Sequence, residues 1–179
     1  MNEYVKFASD IINKIISTQC QYINLKIKDG KNNVKPGLVR RAIDFPSLML
    51  NLGFIPAFTF YLSKAGEHKN IYELYDYLKS ENQNQVTNSN YMENSNLLCK
   101  EMDISESCGY TGYVSILILL LEKIGKLSLK DLSQDRPDET LVKLLNETEK
   151  NIGIREERII LAYLIELKKV MEALSNALQ

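Results

Sequence analysis

Between Phe45 and Leu62 almost every residue is apolar, yet the run is interrupted by Asn51, Gly53 and Pro56. No other feature limits the fold as much. A stretch that is apolar on all sides belongs in the middle of a structure, and its breakers rule out one straight helix. Asn51 and Gly53 have the chemistry of a helix end, and Pro56 falls in the first turn of a new helix, where its missing N–H costs little. The segment reads as two helices, at about 37–51 and 54–65, meeting at a tight corner. One kinked helix is the alternative. Positive charge brackets the run, with Arg40 and Arg41 before it and Lys64, His68 and Lys69 after it.

The remaining periodicity is also helical. From Glu3 to Ile27, Tyr4, Ala8, Ile11, Ile15, Tyr22 and Leu25 fall on one stripe, and Asp29-Gly30 ends it. Residues 70–80 form a short amphipathic helix. Residues 81–96 are polar and Asn-rich and read as a mobile loop. A helix follows from about Thr111 to Lys123, containing the buried-type run 113–121, which is half the length a bilayer requires. Ser128 and Asp131 stand in capping-box spacing, Pro137 precedes another helix, and a last helix runs from Ile154 to about Leu178. Ile160, Tyr163, Leu167, Val170, Leu174 and Ala177 form its packing seam. With eight glycines, four prolines and no competing strand signal, the fold class is all-α. A single bundle of six to eight helices is expected over residues 1–179.

Composition bears mainly on chemistry. Hydrophobic residues make up 45% and charged residues 25%, with net charge −1, so any contact with a polyanion depends on local clustering. Between Lys26 and Arg41 six cations face only Asp29, whereas between Glu81 and Glu106 five carboxylates face only Lys100. Cys20, Cys99 and Cys108 are too few and too irregular for a disulfide framework or a zinc site. The first apolar stretch carries Lys6, Asp10 and Lys14, unlike a secretory signal, and a cytoplasmic location is expected. His68 reads as a solvated helix-end residue. The CGYTGY stretch at 108–113 lacks the lysine and spacing of a phosphate loop and suits a loop turning into a helix. Glu156 and Glu157 suit the positive end of the last helix. No nucleophile or metal-ligand pattern is evident, so no enzymatic activity and no cofactor are expected.

Residues 40–65 carry a more specific signal. Arg40-Arg41, Phe45-Pro46, Leu52-Gly53-Phe54 and Phe60-Tyr61-Leu62-Ser63-Lys64-Ala65 follow in that order, and Leu167, Lys168, Lys169, Glu172 and Ala173 lie near the C-terminus. This pattern resembles the small-subunit family of the type III-B CRISPR effector, the fifth protein of the Cmr complex. The resemblance covers about residues 1–80 and 108–179. The stretch 81–107 does not match and looks like an insertion. The resemblance implies a non-catalytic subunit that stacks in a row with copies of itself beside the backbone subunits. It would meet the large subunit and help to hold CRISPR RNA and target RNA in antiviral defence, with no membrane involved.

On that reading Lys35, Arg40, Arg41, Lys64, Lys69, Lys168 and Lys169 are the candidate RNA contacts. Each has a plainer alternative: an arginine paired with Asp44, Lys168 with Glu172, and Lys169 with Glu166. Two other functions fit the same residues. Gly125 followed by a helix capped at Ser128 resembles a helix-turn-helix, although Asp138, Glu139, Glu147 and Glu149 on the next helix would repel DNA. A helical protein–protein adaptor is the other.

Overall fold

The computed structural model describes residues 2–18, 35–80, 88–127 and 137–177. Among them are eight helices and no strand, so the all-α reading holds. They are α1 (Glu3–Ser17), α2 (Gly37–Leu52), α3 (Phe54–Lys64), α4 (His68–Lys79), α5 (Asn88–Glu101), α6 (Tyr110–Lys123), α7 (Pro137–Asn151) and α8 (Ile154–Ala177).

The Asn2 side chain accepts a hydrogen bond from Tyr4 N at 3.1 Å and starts α1, which buries Phe7, Ala8, Ile11, Ile12 and Ile15. The helix ends at Ser17, and the rest of the expected helix to Ile27, with the loop after it, lies outside the described residues. α1 packs on α8, where the Tyr4 and Phe7 rings meet Tyr163 edge-on at 4.6 and 5.5 Å. The buried face of α8 is Ile160, Tyr163, Leu164, Leu167 and Met171, with Val170 and Leu174 only half-buried. The stripe is rotated slightly from the expected seam because α8 covers α2 as well as α1.

The corner forms as the breakers require. Gly53 has φ +85°, ends α2 and precedes α3, while Pro46 sits inside α2 without ending it. Phe45, Phe54, Phe58, Tyr61 and Tyr113 build the aromatic centre, with Phe45 4.8 Å from Tyr61 and Phe54 stacked on Phe58 at 5.5 Å. The helix that is buried all round is α6, from Thr111 to Ile118 and at Leu120 and Leu121. α2 and α3 each keep an open side, and Leu50, Leu52 and Phe60 stay exposed.

Two expectations fail at α5. Residues 88–96 are helical rather than loop, and residues 81–87 lie outside the described residues. Asn is a weak helix former, but tertiary packing overrides propensity here: Leu98, Glu101 and Met102 are buried, and α5 lies on α4 and α6. Cys108 is free and buried, whereas Cys99 is disulfide-bonded. The segment 128–136, with its expected capping box, also lies outside them. Among the described residues no helix is long and apolar enough to cross a membrane.

A close backbone approach joins Gly37, the first residue of α2, to Gly109, the residue before α6. Gly37 N donates to Asp103 O at 2.7 Å, and a Cβ on Gly109 would come within 2.2 Å of the Gly37 backbone. Gly109 also has φ +95°, a conformation that L side chains rarely adopt. Gly125 has φ +68° but open space around it. Gly109→Ala is therefore expected to cost more than about 3 kcal/mol, through backbone clash added to strain. Gly125→Ala should cost about 1–2 kcal/mol, through strain alone. Chemical denaturation of the two variants checks the ranking.

Candidate nucleic-acid interface

The basic doublet projects from the second turn of α2 towards the turn segment 102–109. Arg40 Nη2 donates to Ile104 O at 2.7 Å and to Ser105 O at 2.8 Å. Arg41 Nη2 donates to Glu106 O at 2.6 Å. The arginines thus reach loop carbonyls, not Asp44. The Arg41 guanidinium also lies 3.9 Å from the centre of the Tyr110 ring, inside cation–π range.

Tyr110 continues the surface. Its ring is 6.4 Å from Phe60, and the Lys64 ammonium is 6.0 Å from the Phe60 centroid. Arg41, Tyr110, Phe60 and Lys64 therefore form one contiguous row across α2, α6 and α3. Tyr61 lies beneath it, 5.1 Å from Tyr110, and its hydroxyl donates to Arg41 O at 3.2 Å. Burial, with Asp44 nearby, pushes that hydroxyl well above the usual tyrosine range, so it stays a neutral donor.

Of the seven candidate residues, the structure links Arg41 and Lys64 through two rings and places Arg40 next to Arg41. Lys35 is half-buried just ahead of α2. Lys69 is exposed and pairs with Glu73 at 3.4 Å. On α8, Lys169 takes Glu166 at 2.7 Å, the plainer alternative, and Lys168 is half-buried. Among the described residues no hydrogen bond, ion pair or cation–π contact joins this α8 pair to the row.

The described ends of the basic and acidic regions, residues 37–41 and 103–106, meet in the fold. Glu101 is not surface charge. It is 6% exposed, and its carboxylate accepts from Gly109 N at 2.9 Å and Gly112 N at 3.3 Å. Gly109 has no side chain with which to cap α6, so Glu101 supplies the acceptor from α5. Glu157 serves α3 in the same way, accepting from Phe54 N at 2.6 Å, while Glu156 pairs with Lys126 at 2.9 Å. The expected role of these two glutamates at their own helix end is thus only part of what they do. Glu122 accepts from Tyr75 Oη at 2.5 Å and from Lys79 at 2.8 Å, and burial first, then this contact, pushes the Tyr75 hydroxyl up to about 12. None of these partnerships carries a motif that would have disclosed it.

A cleft of about 460 Å³ lies between α1, α4 and α6, floored by Phe7, Ile11, Leu78 and Leu119. Lys14 and Lys79 on its wall are engaged, Lys14 with Ser80 O and Lys79 with Glu122. Among the described residues no group of three or more His, Cys, Asp or Glu is arranged to hold a metal ion. No protein-family model, curated protein or solved structure matches the chain.

Burial of Glu101 raises its pKa above the ordinary 4.5, against the lowering effect of the Gly112 and Gly109 amides. A raised folded-state value means that the folded protein holds this proton more tightly than the unfolded chain does. Stability should therefore fall as pH rises from about 4.5 through the folded-state value, then level off. Glu101→Gln should remove this component of the slope, which denaturation midpoints across the acidic range would detect.

Proposed function

We propose that the chain is a non-catalytic small subunit of a type III-B CRISPR ribonucleoprotein and offers positive charge to RNA phosphates beside the backbone subunits. The supporting observation is that the 40–65 part of the family-like pattern forms one structural unit, whereas its Leu167–Ala173 part lies apart on α8. Arg40 and Arg41 lie on α2, Leu52-Gly53-Phe54 makes the corner, and Phe60–Ala65 returns on α3 so that Lys64 closes the row begun by Arg41. Base pairing reads sequence in an RNA-guided assembly, so a subunit of this kind needs only charge and shape. Its partners on this reading are backbone and large subunits, further copies of itself, and guide and target RNA.

A second reading, the helical adaptor, is favoured by one observation. Arg40 and Arg41 already serve the carbonyls of residues 104–106, which commits part of their donor capacity to the fold. Purification from the native host at low salt separates the two. Repeat-derived RNA with a set of CRISPR subunits supports the first, and a CRISPR-unrelated protein set without RNA supports the second.

Among the described residues Lys35 and Lys64 have no fold-bearing hydrogen bond, and they make cleaner probes than the arginines. Lys35→Ala with Lys64→Ala should reduce the log–log salt slope of single-stranded RNA binding by roughly 1.4, at about 0.7 for each phosphate that is no longer neutralised. The melting temperature should not change. Arg40→Ala with Arg41→Ala should weaken binding and also release the 102–109 segment, at a cost on the order of 1 kcal/mol for each arginine. An unchanged slope in the lysine pair would remove both lysines from the interface.

A further inference from the structure

α3 buries Phe54, Ala57, Phe58, Tyr61 and Leu62, and its other side is polar, with Thr59, Ser63 and Lys64 exposed. Phe60 stands on this polar side at 43% exposure. The core does not need it there, and a polar residue would suit the helix as well. Its surroundings are also specific. The Tyr110 ring is held edge-on at 6.4 Å, with the Arg41 guanidinium on Tyr110 at 3.9 Å, and Lys64 stands on the opposite side of the row. The Arg41 end is fixed by its bond to Glu106 O, whereas Lys64 is exposed.

We infer that Phe60 is a stacking platform for an unpaired base of a nucleic-acid strand whose phosphates meet the row Arg41–Tyr110–Phe60–Lys64. An exposed ring flanked by cations is the elementary unit of sequence-tolerant single-strand binding, because every base offers a π-face and the cations take the adjoining phosphates. A base within a duplex already has both faces covered and cannot stack on the ring. The inference rests on the RNA-binding reading above and adds the part of the RNA that is recognised. Arg41 and Lys64 are the phosphate partners, and Tyr110 holds Arg41 in place.

The test uses the full-length protein at low salt with two probes of equal length: an oligouridine carrying one 2-aminopurine, and the same strand with abasic positions. Wild-type protein should quench the 2-aminopurine. Phe60→Leu should abolish the quenching and weaken the base-bearing strand roughly tenfold, while binding the abasic strand as wild type does. Phe60→Trp should restore quenching, and circular dichroism should be unchanged in both variants. If Phe60→Leu binds and quenches like wild type while Lys35→Ala with Lys64→Ala weakens both strands, stacking is wrong and the phosphate reading stands. If Phe60→Leu weakens both strands equally, Phe60 has a structural role and the inference falls. If wild-type protein binds neither strand, the inference and the reading beneath it fall together.

Discussion

The close passage of Gly37 against Gly109 is the constraint on which the rest of the fold depends. Two helix starts cross there at backbone distance, and a side chain on either glycine would drive them apart. Once Gly109 has no side chain, α6 has no capping oxygen of its own, and its first amides must find one elsewhere. Glu101 answers from the end of α5. The cost of burying a carboxylate is offset by two amide donors and by the positive end of α6. The most buried helix of the bundle is thus held at its start by a residue from one of the most polar. That dependence explains why an Asn-rich segment with little helical propensity is nevertheless helical.

The same logic recurs at the corner. Gly53 supplies the positive φ that ends α2, and again no side-chain cap is available to α3. Glu157 of α8 accepts the Phe54 amide, and a Cβ on Gly53 would lie 3.3 Å from that carboxylate. Glycine at each turn makes the sharp reversal possible but leaves helix amides unpaired, and a glutamate from a neighbouring helix then completes each end. These borrowed caps tie α5 to α6 and α8 to α3 with direction, which apolar packing alone does not provide.

What the sequence discloses follows from which forces are local. Periodicity and breakers act within a few residues, so the corner at Gly53, the buried run of α6 and the all-α class are legible. α5 is not, because its apolar residues are few and split between Tyr91-Met92 near its start and Leu97, Leu98 and Cys99 near its end, and its stability comes from α4 and α6. The candidate site is legible in part. Arg40, Arg41 and Lys64 stand out as cations flanking a corner, but their partners lie across the chain. Arg40 meets residues 104 and 105 at separations of 64 and 65, and Tyr110 becomes part of the row only because α6 starts at the Gly37–Gly109 crossing. For the same reason Glu101 and Glu106 look alike in the sequence, as acidic surface. No local pattern marks one as a buried cap and the other as the source of a carbonyl for Arg41.

The pinning of the arginines bears on function as well as on stability. An arginine anchored through Nη2 has already given up its rotamer freedom, so a ligand that meets it bears less of the ordering cost that usually accompanies binding through long side chains. The guanidinium fork has five donors, and a carbonyl contact at one nitrogen leaves the charge and the other terminal nitrogen in place. Lys64 is different: exposed, with no ion pair holding it among the described residues, it can follow a phosphate over several ångströms. A fixed cation at one end of a row and an adjustable one at the other suits a polyanion held in one position but not read base by base. Two fixed cations would demand a single phosphate spacing, and two free ones would bear the full ordering cost. On the proposed RNA-binding function, the clamp that takes Arg40 and Arg41 partly out of the surface would leave them to position a strand.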